Sequence, residues 1–215
     1  MKHFILMSDV IGSGQKNQAL LMQNFKETVS KINHDYENNL LSPLTITLGD
    51  EFQGLTKDLE TALNIIIALE EQIIIQGFDF QLRYVLIYGD IETNINKRIA
   101  YEMLGEGLRD ARYKLNSMKS NSQRFYIQIE DINLDSLLNN TFLIFENIID
   151  KWNPEKDYDL ISAFIKFKDY KIVAEKINKT RSQIWKREKT LNISSYEATK
   201  TILKSISKLP HALRL

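Results

Sequence analysis

The order of short strand-like and helix-like segments in the first 130 residues is the strongest constraint on the fold. K-H-F-I-L-M-S-D-V is a short apolar run before I-G-S-G, and residues 17–36 repeat apolar side chains at helical spacing. Residues 43–48 and F-Q-G-L-T form a predicted hairpin, followed by a helix ending at Gly77 and the strand F-Q-L-R-Y-V-L-I-Y-G. The order β-α-β-β-α-β predicts a ferredoxin-like α+β fold, with helices on one face of an antiparallel sheet and the other face, or the strand ends, free for a site.

Two of the predicted helices carry specific expectations about their ends and faces. The first is expected to bury one apolar stripe, and the second is expected to be capped by Thr56. The stripe of the first helix comprises Leu20, Leu21, Phe25, Val29 and Ile32, and that of the second comprises Leu59, Leu63, Ile66, Ile67 and Leu69.

The remaining pattern is helical apart from one strand, R-F-Y-I-Q-I, which follows a helix at 103–118. A connecting helix at 132–151 leads to W-N-P-E-K-D-Y, the best candidate for a linker. The predicted organisation is an α+β domain at 1–131, a connecting helix and linker at 132–156, and a small all-α domain at 157–215. Helices in the last domain are predicted at 157–167, 171–178, 181–190 and 194–207.

Charge is divided unevenly along a chain whose 28 basic and 28 acidic residues cancel. Residues 1–150 hold 13 basic and 21 acidic side chains, and residues 151–215 hold 15 and 7. A basic tail on an acidic body suggests an anionic partner, often nucleic acid, although the two halves attracting each other is the alternative. The absence of cysteine excludes disulfides and thiolate chemistry. Because no long apolar run is present, we expect a cytoplasmic protein without membrane contact.

Acidic residues follow two of the strands that this topology makes neighbours. Asp9 ends the first strand, and Asp50 and Glu51 lie in the predicted hairpin. Carboxylates brought together in this way suit Mg²⁺ (or Mn²⁺), and the backbone of Gly12 and Ser13 could approach a phosphate. The alternative is ordinary turn chemistry for all three acids, and Glu51 is either a third ligand or an outward turn residue.

These segments resemble known families. S-D-V-I-G-S, T-L-G-D-E-F-Q-G-L, R-Y-V-L-I-Y-G-D-I and G-E-G-L-R-D-A-R-Y-K-L resemble the SatD family. The first two are also distantly similar to the metal-binding segments of class III nucleotidyl cyclases and other palm-type domains. That resemblance implies metal binding by Asp9 and Asp50, with Gly49 in the hairpin, and nucleotide or phosphate binding that includes Arg109 and Arg112. Arg109 stands where the cyclase helix has its catalytic asparagine, and the cyclase arginine would fall at Tyr113, so binding is favoured over turnover.

The basic tail has the pattern of a helix-turn-helix. Val173, Ala174 and Ile177 predict the inner face of a first helix, and Asn178 suits a left-handed turn. Thr180 or Ser182 can cap the second helix, with Ile184 facing inward. Trp185 could pack on the preceding helix or flank the groove, and packing is favoured. The residues predicted to contact DNA are Arg181, Ser182, Gln183, Lys186 and Arg187. A solvated helical bundle is the alternative.

The sequence therefore predicts a two-module regulator. Its α+β domain would bind a nucleotide or related phosphate ligand with a divalent metal, and its tail would bind DNA, which implies a homodimer. The alternatives are a metal-dependent nucleotidyl cyclase or nucleotidyltransferase, and a non-catalytic protein-interaction module.

Overall fold

The computed structural model describes residues 1–15, 17–47, 49–120 and 123–209. These residues form a five-stranded sheet and eight α-helices in a mixed α+β arrangement. The strands are β1 (Lys2–Val10), β2 (Leu40–Ile46), β3 (Glu51–Thr56), β4 (Leu82–Asp90) and β5 (Phe125–Gln128). The helices are α1 (Gln18–Asp35), α2 (Leu59–Ile75), α3 (Glu106–Met118), α4 (Ile132–Ile149), α5 (Pro154–Phe167), α6 (Tyr170–Lys176), α7 (Arg181–Thr190) and α8 (Ile193–Ile206).

The sheet has the strand order β2-β3-β1-β4-β5. The strand β1 lies between β3 and β4 and is antiparallel to both, whereas β5 is parallel to β4. The first four strands with α1 and α2 therefore follow the βαββαβ order predicted from the sequence. The helix α3 then connects β4 to the parallel strand β5 at the sheet edge, as a crossover connection must.

Both faces of the sheet are covered, so the expectation of a free face is wrong, and the strand ends remain as the other expected position for a site. One face carries the larger core with α1, α2 and α4, in which Phe25, Phe52 and Tyr84 are fully buried. The other face, which includes Ile5 and Val85, packs against α3 and the segment that precedes it. Because side chains alternate along a strand, odd-numbered residues of β1 point towards α3.

Helix ends follow local chemistry, with two corrections to the predicted details. The carboxylate of Asp58 caps α2 by accepting from the amide of Thr61 at 2.7 Å, while Thr56 belongs to β3. Gly77 has the positive φ of +67° expected just beyond this helix. Leu20 is 55% exposed because the buried stripe of α1 runs through Leu21 and its neighbours one and two turns further along.

The C-terminal helices pack on the α+β part through a continuous core that reaches Ile206. Trp152, in the segment predicted as a linker, is buried, and its indole N–H donates to the carbonyl of Leu191 at 2.9 Å. The hydroxyl of Tyr196 in α8 donates to Glu71 in α2 at 2.8 Å. The division into domains at residues 131 and 156 stays a prediction.

The helix α3 approaches β4 so closely that both contact positions are glycines. A Cβ added to Gly107 would lie 2.7 Å from the carbonyl carbon of Gly89 and 2.8 Å from its Cα. Backbone atoms on both sides of this contact leave no flexible side chain to give way. This contact sets how far α3 stands from the sheet.

We expect Gly107→Ala to lower the free energy of unfolding by about 1–3 kcal/mol, because overpacking forces α3 away from β4. Gly14→Ala is the matched control, since a Cβ there has no neighbour within 4 Å. Urea unfolding of both variants measures the difference. Equal stability of the two variants would contradict this account of the α3 contact.

Candidate functional site

A row of three charged residues crosses the sheet beneath α3. The strand register places Asp9 opposite Glu51 of β3 on one side and opposite Arg83 of β4 on the other. Cross-strand partners share a face, so the three side chains lie together on the side that α3 covers. Their exposed fractions are 2%, 3% and 7% respectively, so all three are buried.

Arg83 neutralises Asp9 through one guanidinium nitrogen. Its Nη1 donates to Oδ1 at 3.0 Å and to Oδ2 at 2.9 Å. Burial raises the pKa of Asp9, and the positive charges of Arg83 and Lys119 offset only part of that rise. The Nε of Arg83 and the hydroxyl of Ser8 are buried without a hydrogen-bond partner among the described residues.

Two further cations descend from α3 onto the same carboxylates. Arg112 donates to Oε2 of Glu51, and its Nη2 lies 3.3 Å from Oε1 of Gln53. The ammonium of Lys119, just beyond the end of α3, lies 3.0 Å from Oε1 of Glu51 and 3.5 Å from Oδ2 of Asp9. Burial lowers the pKa of Lys119, but its hydrogen bond and attraction to the two acids outweigh burial and raise the pKa overall.

We call Asp9, Glu51, Arg83, Arg112 and Lys119 the charged cluster. With the acids ionised it contains two negative and three positive charges. Such a cluster is costly to assemble because each group loses hydration on burial, and it persists when each charge is paired. It leaves one positive charge in excess next to α3.

Asp50 lies in the turn before β3 and faces a different set of residues. Its carboxylate accepts a hydrogen bond from the hydroxyl of Ser13 at 2.5 Å, and its carbonyl accepts from the amide of Val10 at 2.9 Å. Gly12 and Gly49 have φ values of +68° and +86°, which allow the two turns to meet. The register thus places Glu51, rather than Asp50, opposite Asp9.

The charged cluster does not fit a resident Mg²⁺ or Mn²⁺ ion in this arrangement. No group of three or more histidine or carboxylate side chains within the described ranges could hold a metal ion. Both carboxylates of the cluster are already neutralised, and a divalent cation would add to an existing positive excess. Metal binding by Asp9, Asp50 and Glu51 stays a prediction from the sequence.

A cavity of about 570 Å³ lies beside the cluster, along the exposed side of α3. Arg109 and Arg112 enter it from α3 and Glu92 enters it from beyond the end of β4. The remaining wall is largely apolar, and Tyr113, which is 77% exposed, also lines the cavity. The apolar and neutral lining residues are Met7, Gln53, Met103, Leu104, Gly105, Leu108 and Asn116.

Arg109 and Arg112 differ in whether their side chains already form ion pairs within the protein. Arg112 is paired with Glu51, whereas the Arg109 side chain has no ion pair or hydrogen bond within the described residues. An arginine that lines a cavity without an internal partner can accept an anion at little cost to the fold.

Sequence reasoning missed Arg83, Lys119 and the cavity. Arg83 did leave a signal, since it is the only charged residue between Phe80 and Gly89 in an otherwise buried strand pattern. Lys119 left none, because its role depends on how close α3 lies to β1 and β3.

The predicted tail residues lie on α7 and the turn before it. Asn178 has a φ of +53°, and Thr180 and Gln183 form a reciprocal capping box at the start of α7. Val173, Ala174 and Ile184 are buried as expected. Trp185 is 47% exposed, and the ammonium of Lys189 lies over its ring; the expectation that it packs on the preceding helix stays a prediction.

The side chains predicted to contact DNA are not equally available. Arg181 pairs with Glu175 at 3.1 Å on the surface, and Arg187 pairs with Asp157 of α5. Gln183 is engaged in the capping box. Ser182 and Lys186 are exposed.

The chain is thus a mixed α+β protein in which α3 covers a cluster of charged side chains on one face of the sheet. Residues 3–206 match the SatD family, and the chain belongs to that family. No curated protein matches the sequence. Within the described residues, no helix has the length and apolar character needed to cross a membrane.

Solved structures with detectable similarity include nucleotidyl cyclase domains. A bacterial light-regulated adenylyl cyclase is 11% identical, with a TM-score of 0.45, over 59% of this chain and 42% of its own. The guanylate cyclase domain of RhGC from Catenaria anguillulae, solved with GTP, is 16% identical with a TM-score of 0.40, over 60% and 77%. A regulator of polyketide synthase expression from Bifidobacterium adolescentis is 14% identical with a TM-score of 0.30, over 97% and 82%. At these scores the similarities say nothing about activity.

The buried pair of Asp9 and Arg83 makes a pH-dependent stability prediction. We expect Arg83→Met to lower the free energy of unfolding by about 3–5 kcal/mol near neutral pH, because Asp9 loses its main cation. The loss should shrink towards about pH 5. Because burial raises the pKa of Asp9, the folded chain keeps this proton where the unfolded chain has released it. Stability therefore falls as pH rises through that window, and it falls further without Arg83.

Urea unfolding of wild type and variant near pH 5 and pH 7 measures this loss. Lys31→Met is the control, since it removes an exposed pair with Asp35 and should cost no more than about 0.5 kcal/mol. A loss that matches this control, or that is the same at both pH values, would contradict the role given to Arg83.

Proposed function

We propose that the α+β part binds a phosphate-bearing small molecule, with a nucleotide as the favoured class, in the cavity beside α3. The observation that carries the proposal is the position of Arg109 and Arg112. They lie three residues apart on α3 and both line the cavity. Residues three apart on a helix share a face, so the two guanidinium groups can act on one ligand.

Guanidinium groups suit phosphate because their planar donors match two oxygens at once. The rest of the wall offers a largely apolar surface for a ring system, with the amide of Asn116 as a specific donor or acceptor. A volume of about 570 Å³ lies within the range of small-molecule sites. The positive excess of the charged cluster adds attraction for an anion.

Binding in this form does not need a metal. The Mg²⁺ or Mn²⁺ ion predicted at Asp9, Asp50 and Glu51 has no free pair of carboxylates in the charged cluster. The predicted alternative position for a phosphate is the turn region of Gly12, Ser13, Gly49 and Asp50. A smaller cavity of about 200 Å³ lies there, lined by Ser13, Gly49 and Asp50. We favour the larger cavity because it alone carries arginines.

We propose binding rather than turnover. Arg109 stands where the helix of the cyclases that this segment resembles carries its catalytic asparagine. A nucleotidyl cyclase or nucleotidyltransferase remains the enzymatic alternative, and a protein-interaction module remains the non-catalytic one.

We further propose that the C-terminal helices bind DNA, so that the whole chain acts as a ligand-responsive regulator, as a homodimer. The supporting observation is the pairing of α6 and α7 through a turn at Asn178, with Lys179, Lys186 and Lys189 exposed around it. Exposed lysines contact phosphates, which gives affinity without sequence preference. Because Arg181 and Arg187 are paired internally, they contribute only where DNA replaces their partners.

Replacement of Arg109 tests the nucleotide site. We expect Arg109→Gln to weaken nucleotide binding by about tenfold or more, in line with about 1.5–3 kcal/mol for a hydrogen bond to a charged group. Isothermal titration with ATP and GTP, with EDTA present, measures the affinities. Fold stability should not change.

Lys114→Gln is the matched control, since it removes a positive charge from the same helix at a residue that faces the ring of Tyr126. The control should keep the wild-type affinity. Absence of binding by wild type, or equal losses in both variants, would remove the proposal.

The DNA proposal is tested separately by the salt dependence of binding to random duplex DNA. We expect Lys186→Gln to reduce the slope of log affinity against log salt by about 1, because one phosphate contact is lost. Lys31→Gln in α1 should leave the slope unchanged. If wild type does not bind DNA even at low salt, the C-terminal helices do not contact DNA phosphates.

A further inference from the structure

The ammonium of Lys119 stands between two buried carboxylates that come from different strands. It lies 3.0 Å from Oε1 of Glu51 and 3.5 Å from Oδ2 of Asp9. Both acid side chains are only 4% exposed, whereas that of Lys119 is 45% exposed. The lysine therefore reaches inward from the surface to close the acidic pair.

The two arginines of the charged cluster each contact one of the acids, and neither lies between them. Arg83 binds Asp9 from the β4 side, and Arg112 binds Oε2 of Glu51 from α3. The remaining oxygen, Oε1 of Glu51, faces Lys119, and so does one oxygen of Asp9. Within the described residues, Lys119 is the only group that contacts both acids.

Two carboxylates around one cation are a donor set that a divalent ion would also accept. Hard ions such as Mg²⁺ and Mn²⁺ bind carboxylate oxygens, with water completing the coordination. An ammonium offers one positive charge and three directed donors instead of two charges and open coordination. The cation at this position is therefore part of the chain.

We propose that Lys119 is a tethered cation that takes the place of a divalent metal between Asp9 and Glu51 and keeps metal out. The lysine is covalently attached, so it competes at a high effective concentration with any free ion. Entry of a divalent ion would require displacement of the ammonium, and Arg83 and Arg112 would then repel the ion. The acidic pair holds α3 to the sheet without a metal.

This inference concerns the same face of α3 as the proposed nucleotide site, but it does not require a nucleotide. A failure of nucleotide binding leaves it intact, and a test with metal alone addresses it directly.

The test compares Mn²⁺ binding by wild type and Lys119→Met. Electron paramagnetic resonance of free Mn²⁺ measures the affinity, and thermal unfolding measures stabilisation by the ion. Loss of the ammonium frees Oε1 of Glu51 and leaves Oδ2 of Asp9 with Arg83 as its remaining cation, so the variant should bind Mn²⁺ at least tenfold more tightly than wild type. Mn²⁺ should raise the melting temperature of the variant and not that of wild type. Lys114→Met should behave as wild type, because Lys114 lies on α3 outside the cluster.

The double variant Lys119→Met with Glu51→Gln should lose the gained binding, which assigns it to the acidic pair. Lys119→Gln serves as a second variant with a neutral polar side chain if the methionine variant does not fold. The proposal would be overturned if neither lysine variant bound Mn²⁺ more tightly than wild type. It would also be overturned if the gain survived the loss of Glu51.

Discussion

The pairing of Asp9 with Glu51 across two strands is the interaction on which the rest of the candidate site depends. Two buried acids on one face of a sheet repel each other and lose hydration, so they need positive partners close by. Arg83 supplies one from the neighbouring strand, and α3 supplies two. The position of α3 is thereby tied to the charges of the sheet as well as to the glycine contact with β4.

The same helix connects the buried acids with the cavity. Arg112 touches Glu51 and also lines the cavity, while Arg109, on the same face, is free for a ligand. An anion that attracted Arg112 would weaken its pair with Glu51 and leave Lys119 as the remaining helix cation on that acid. Ligand binding and the attachment of α3 to the sheet are therefore physically linked through one side chain.

The fold was largely predictable from the sequence because its signals are local. The alternation of strand and helix patterns predicted the βαββαβ order, Gly77 lies just beyond the end of α2 as predicted, and Asn178 was correctly expected to take a left-handed turn conformation. The errors concern tertiary context: Leu20 is exposed although its apolar character and helical spacing favoured burial. Asp58 caps α2 in place of Thr56, since a residue three positions before Thr61 is the one whose side chain can reach its amide.

The site was predictable only in part, because its electrostatics arise from long-range contacts. The sequence and its family resemblance singled out Asp9, Glu51, Arg109 and Arg112, but the predicted topology and the cyclase resemblance suggested Asp50 as the partner of Asp9. A shift of one residue in strand register exchanges the two faces, and the register selects Glu51. Lys119 lies 68 positions from Glu51 along the chain, so its contact with this acid leaves no local sequence pattern.

The central claim is that the cations of α3 bind a phosphate ligand while the acidic pair stays closed by the chain itself. The most direct measurement is a crystal structure with a bound nucleotide and Mn²⁺, using the anomalous scattering of manganese to locate the metal. We expect the phosphates on Arg109 and Arg112, and no manganese between Asp9 and Glu51. Manganese bound by Asp9 and Glu51, with the phosphates at Ser13 and Gly49, would contradict the account.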